Sequence, residues 1–167
     1  MQSHLLLPQR TKTPPTMTKE FKIYFDEPIT FELKKIKPLI SLTGLYFIFT
    51  TNTKIQYPFR KSRLLYIGMS EKKTNSIGSR LTGHFEGKSK NQGLVNYRKV
   101  AQLSFTVINF EMVRNFWNFK VEELESYFIR DFVETYGVYP ICNNRTGSEI
   151  LQKKLEANFI IDWKYFE

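Results

Sequence analysis

From Phe21 to Leu33 the sequence FKIYFDEPITFEL alternates apolar and polar residues in two short runs on either side of Asp26-Glu27-Pro28, a pattern that predicts a β-hairpin. KKIKPL follows, and then SLTGLYFIF (Ser41 to Phe49) becomes almost wholly apolar, as a strand covered on both faces would be. TTNTKIQYPFRKSR reads as a loop and LLYIGMS (Leu64 to Ser70) as the next strand. With so little between them, the two strands are expected to be antiparallel neighbours. After the polar break EKKTN, SIGSRLTGHFEG and GLVNYRKVAQ predict two helices, and LSFTVINFEMV (Leu103 to Val113), rich in β-branched and aromatic residues, predicts a third strand. VEELESYFIRDFVETYG (Val121 to Gly137) is the strongest helical pattern, closed by Gly137 and Pro140.

The expected fold class is therefore α/β (α+β): a small three-stranded antiparallel core sheet flanked by helices, with an N-terminal hairpin extension. Residues 1–18, with Pro8, Pro14 and Pro15 among Thr and Lys, read as a disordered lead, and Met17 is an alternative start. Residues 19–40 form the β extension, 41–147 the main domain, and 148–167 a short helix and aromatic tail packing on it.

Two placements within these elements carry chemistry. On a helical wheel Val121, Phe128, Phe132 and Tyr136 share one stripe, and Glu125 lies in its middle. A carboxylate taken out of water needs a cation, either a metal ion or a buried Arg or Lys, unless it snorkels to the helix margin. In the helix from Ser76, Arg80 and His84 run together along the edge of the stripe made by Ile77, Leu81 and Phe85, at the border between core and solvent. Alternation puts Tyr46 with Ile48 on one strand face, where either Tyr46 or Tyr66 could simply pack; Gly44 and Gly68 beside them suggest a close approach by a backbone or ligand.

Composition narrows the partners. Lys and Arg number 25 against 16 Asp and Glu, a net charge of +9 spread along the chain, which favours a polyanion, most simply nucleic acid. The single cysteine, Cys142, rules out an internal disulfide and leaves no Cys/His cluster for structural zinc. No apolar run approaches a membrane span and none resembles a signal peptide, so a cytoplasmic protein without a membrane partner is expected.

Gly44-Leu45-Tyr46, Tyr66-Ile67-Gly68, Arg80 with His84, Glu125 followed by Phe128-Ile129-Arg130, and Pro140 with Asn143 resemble, in order and local context, the GIY-YIG nuclease domain, over roughly residues 42–145. Leu45 stands where that family has Ile, and the stretches from Tyr46 to Tyr66 and from Glu125 to Asn143 are longer than in its compact members. The resemblance implies the GIY-YIG endonuclease fold and metal-dependent hydrolysis of DNA phosphodiester bonds. It implies Glu125 as the sole protein ligand of Mg²⁺ (or Mn²⁺), Arg80 on the scissile phosphate, and Tyr46 helping to deprotonate the attacking water. Tyr66 would orient water or phosphate, His84 would assist the base, and Asn143, or Asn144 in a shifted register, would brace the loop or contact a phosphate.

For gripping duplex or branched DNA, the candidates are Lys54, Arg60, Lys61 and Arg63 between the two motif strands, with Lys72, Lys73, Lys88, Lys90, Arg98 and Lys99 around the Arg80 helix. The first group makes the inserted loop a candidate clamp, with Tyr57 and Phe59 to stack on a base or simply to pack. A homodimer is one way to cut both strands. The alternatives are a catalytically inactive nucleic-acid-binding module of the same fold and an RNA-binding sheet with exposed aromatics.

Overall fold

The structure is a computed structural model that describes residues 19–144 and 157–167. In chain order its elements are β1 (Lys19–Ile23), β2 (Ile29–Thr30), α1 (Leu33–Ile36), β3 (Gly44–Thr50), β4 (Ile55–Gln56), β5 (Lys61–Ser62), β6 (Leu64–Ser70), α2 (Ile77–Phe85), α3 (Gln92–Val100), β7 (Leu103–Asn109), α4 (Phe110–Val113), α5 (Val121–Tyr136) and β8 (Ala157–Ile161). The chain is thus mixed α/β with several sheets. The lead at 1–18 and the helix expected from Ser148 lie outside the described residues.

The main sheet has the order β2-β7-β3-β6, with antiparallel neighbours throughout. β3, the apolar run of the sequence, is buried along its whole length. Leu45, Phe47 and Phe49 point to one face, where Leu124, Phe128 and Phe132 of α5 and Phe159, Trp163 and Phe166 of the tail cover them. Tyr46 and Ile48 point to the other, against Ile77 and Leu81 of α2, Leu94 of α3, and Phe31 and Ile36. Pairing of Tyr46 with Gly68 and of Ile48 with Tyr66 puts both motif tyrosines on this second face. A bulge after Ile48 lets Leu64 pair with Phe49 and turns Leu65 to the α2 side.

The helices start where their caps allow. Ser76 Oγ accepts from Ser79 N at the head of α2, Asn91 Oδ1 from Leu94 N at the head of α3, and Glu123 Oε2 reaches back to Lys120 N before α5. Gly137 closes α5 with a left-handed φ of 92°.

Three expectations need correction. The hairpin at 21–33 does not form, because its halves find larger apolar partners elsewhere. β1 pairs in parallel with β8, Phe21 opposite Phe159, and β2 extends the sheet as a fourth strand on β7. Phe25 between them packs on Phe47 and Phe166, at ring distances of 5.0 and 4.8 Å. The supposed loop after β3 contains the β4–β5 hairpin. The third strand stops at Asn109, whose side chain accepts from Glu111 N and starts α4, so Phe110 to Val113 are helical.

Two glycines of α2 report its fit against the segment before β3. A Cβ on Gly78 would meet backbone atoms of Ile40 and Leu39 at 2.6 and 2.7 Å, whereas one on Gly83 would meet nothing within 4 Å. Gly78→Ala is expected to cost about 1–3 kcal/mol and Gly83→Ala to gain about 0.5–1 kcal/mol. Urea unfolding of both variants checks the pair, and equal effects would mean that α2 does not lie against residues 39–40.

Candidate active site

The second face of the sheet ends in a small polar constellation. Tyr46 is 0% exposed. Its hydroxyl accepts from Arg80 Nε at 3.1 Å and lies 3.0 Å from His84 Nε2. Helical spacing brings this about: Arg80 and His84, one turn apart on α2, both reach over Ile77 and Leu81 to the same oxygen. The place where a Cβ of Gly68 would sit is taken by the Tyr46 ring and hydroxyl, so this glycine makes room for the tyrosine itself and not for a ligand. Gly44, at φ 138°, is approached by the backbone of Ile108 and Phe110.

Tyr66 completes the group. Its ring lies 6.0 Å from that of Tyr46 and 5.0 Å, edge-on, from that of His84. Unlike Tyr46 it borders an open cleft of about 590 Å³, together with Arg80, His84, Lys88, Ser89, Lys90 and Asn144. None of the residues lining this cleft carries a carboxylate, so its walls suit an anion. Lys88 is exposed and also meets Glu86 at 2.7 Å.

Glu125 is 5% exposed on α5, as its place on the wheel predicts. Its charge is felt across the group, raising the pKa of Tyr66, Tyr46 and Arg80. For Tyr46, burial is the main cause of a strong upward shift; Tyr66 and Glu125 add to it and Arg80 opposes it. Tyr66 is raised by burial and then by Glu125. For Arg80, burial works against the charge, but the two tyrosines and Glu125 outweigh it and keep the guanidinium protonated. Burial, reinforced by Arg80, pulls the His84 imidazole down to about 4, so it is neutral at pH 7.

Asn143 acts on the backbone. Its Oδ1 accepts from Ile67 N at 2.9 Å and its Nδ2 donates to Ile67 O at 2.8 Å, while Cys142 N donates to Leu65 O. The side chain thus pairs with the outer edge of β6 as a neighbouring strand would, and braces the strand carrying Tyr66. Asn144, the neighbouring alternative, lines the cleft.

The basic candidates divide. Lys88 and Lys90 line the cleft, and Lys72 and Lys73 lie in the exposed turn leading to Asn75, which also lines it. Arg98 stacks over Phe85 at 4.1 Å, and with Lys99 borders a smaller hollow on α3. The β4–β5 hairpin is elsewhere: Phe59 N donates to Tyr136 O, and Pro58 and Phe59 crowd Gly137, at the far end of α5 from Glu125. Arg63 is committed to the backbone carbonyls of Thr51 and Tyr165, and Arg60 faces Glu167 at 3.5 Å. Tyr57 is 3% exposed and packs on Phe132 and Tyr136, so it cannot stack on a base. The expected clamp of Lys54, Arg60, Lys61 and Arg63 therefore does not line the cleft, because the hairpin is held by α5 and the tail.

Ser89 escaped the sequence reading. Its Oγ lies 2.7 Å from His84 Nδ1. A serine in a loop five positions after a histidine has no periodicity to mark it; the left-handed turn at Gly87 brings it back, where its N donates to Gly83 O.

No protein-family model, no curated protein and no solved structure matches this chain. Among the described residues no helix is long and apolar enough to cross a membrane.

The low value for His84 makes stability depend on pH. An unfolded chain takes up a proton near pH 6.5 that the folded protein refuses until about 4. This group's contribution is complete above 6.5 and shrinks as pH falls toward 4, by on the order of 3 kcal/mol in all. The urea midpoint of wild type is expected to fall more steeply from pH 6.5 to 4.5 than that of His84→Gln; parallel curves would refute a buried neutral imidazole.

Proposed function

We propose that this chain is a divalent-metal-dependent endonuclease of the GIY-YIG kind, hydrolysing phosphodiester bonds of duplex or branched DNA. The observation that carries the reading is the Tyr46 hydroxyl fixed between Arg80 and His84 beside a cationic cleft, with the charge of Glu125 reaching Tyr46, Tyr66 and Arg80. Arg80 borders the cleft and meets Tyr46 through Nε. Tyr66 also hydrogen-bonds the guanidinium, and the donors left over in its planar fork suit a phosphate. Tyr66, at the cleft wall, is placed to orient a water or a phosphate oxygen, and Tyr46 behind it tunes Arg80 and His84.

The residues fit a Mg²⁺ or Mn²⁺ ion held in the manner of a hard cation. Among the described residues no group of three His, Cys, Asp or Glu side chains gathers around one point, so a cage of such side chains is not offered. One carboxylate, with water and phosphate oxygens completing the shell, is the usual arrangement for Mg²⁺. Glu125, near the cleft but not in its wall, would hold it, and the ion when bound would supply charge stabilisation at a phosphate.

The complete burial of Tyr46 favours a second reading, an inactive nucleic-acid-binding module that keeps the fold. An RNA-binding sheet gains no support, since helices and tail cover both faces of β3.

Purified protein incubated with plasmid, branched DNA and RNA is expected to cut DNA with Mg²⁺ or Mn²⁺ and to stop with chelator. Glu125→Gln and Arg80→Ala are each expected to lose about 10²-fold or more in rate while still binding DNA. Binding without metal-dependent cutting by wild type would favour the inactive module; neither binding nor cutting would remove both readings.

A further inference from the structure

We infer that Ser89 is a positioning residue: its hydroxyl accepts the Nδ1 proton of His84 and so keeps Nε2 bare, facing the Tyr46 hydroxyl. The direction of each hydrogen bond follows from counting protons around a buried oxygen. Tyr46 Oη receives Arg80 Nε–H at 3.1 Å and carries one proton of its own. With Tyr46 sealed from water, that proton needs a protein acceptor; Tyr66, the other group hydrogen-bonded to this hydroxyl, borders the cleft and can give its own proton instead, and His84 Nε2 lies 3.0 Å away. A neutral imidazole with a bare Nε2 carries its proton on Nδ1. The atom that meets Nδ1, at 2.7 Å, is Ser89 Oγ. Ser89 is exposed, so its own hydroxyl proton can turn to water.

The loop between α2 and α3 is shaped to hold this oxygen. Ser89 N donates to Gly83 O at 3.1 Å, and Asn91 N approaches Ser89 Oγ at 3.4 Å. Lys90, between them, has a φ of 59°, an uncommon value for a residue with a side chain. The turn returns the chain so that Asn91 caps α3 while Ser89 stays on His84. Without the hydroxyl the Nδ1 proton loses this acceptor, and the Tyr46 proton alone holds the tautomer.

The catalytic meaning of this arrangement rests on the nuclease reading. Burial holds the Tyr46 proton on its oxygen and keeps His84 neutral. The arrangement thus supplies a fixed O–H···Nε2 hydrogen bond that holds Tyr46 Oη as the acceptor of Arg80 Nε–H and so aims the guanidinium at the cleft. The opposite tautomer would aim a second donor at Tyr46 and turn the ring's one bare nitrogen, Nδ1, away from its proton toward Ser89.

Long-range ¹H–¹⁵N correlation of the ring nitrogens at pH 7 tests the assignment. It is assigned with His84→Gln, since His4 is the only other histidine. Wild type is expected to show the Nδ1–H form, Ser89→Ala a shift toward Nε2–H, and Ser89→Thr, which keeps a hydroxyl, the wild-type pattern. An Nε2–H form in wild type, or an unchanged ring in Ser89→Ala, would overturn the proposal. On any DNA that wild type cuts, Ser89→Ala is expected to lower kcat about 10-fold at unchanged KM, with recovery in Ser89→Thr; an unchanged kcat would overturn the catalytic part. If wild type cuts nothing, the nuclease reading fails by itself, and the ring spectra still decide the role of Ser89.

Discussion

A phenol hydroxyl withdrawn completely from water has to find its partners inside the protein, and much of this fold is arranged around that demand at Tyr46. Strand register sets the side chain opposite Gly68, whose missing Cβ leaves the space that the ring fills. Arg80 and His84 then meet the oxygen from above, which fixes the rotation of α2 on the sheet. Ser89 ties His84 to the loop that begins α3. Register, helix orientation and loop shape are therefore one constraint, and a change at any of these positions is felt at the others.

The same constraint separates the two tyrosines. Pairing across β3 and β6 puts them on one face, yet one is sealed behind Arg80 and the other borders the cleft. A buried oxygen with fixed partners can tune charge and hold geometry, while a hydroxyl at the wall can meet what enters. Asn143 protects this arrangement by closing the edge of β6, which would otherwise offer unpaired amide groups beside the site.

The parts of the fold governed by local pattern were legible in the sequence. The apolar run at β3, the stripe on α5 with Glu125 inside it, and the closing Gly137 all express one-dimensional periodicity and cap chemistry. The parts governed by distant partners were not. The two runs of 21–33 alternate as a hairpin would, and only the existence of β8 and the free edge of β7 explains their separation. At the site, the convergence of Arg80 and His84 could be anticipated from helical spacing. The burial of Tyr46, the work of Asn143 on a backbone and the place of Ser89 depend on packing in three dimensions. The basic hairpin misled for a related reason: charge along the sequence does not say which end of α5 the hairpin will sit on.

The pairing of β1 with β8 also bears on the order of assembly. Phe47 and Phe49 are covered partly by Phe166, from the far side of the sequence, and the strand that leads into this segment aligns with residues just after Lys19. A chain in synthesis thus holds an oily sheet face covered by α5 alone until the last of these aromatics arrives. Contacts of such long sequence separation form slowly. Closure of that face is consequently a late event, and the interval before it is when the protein is most open to sticking to its neighbours.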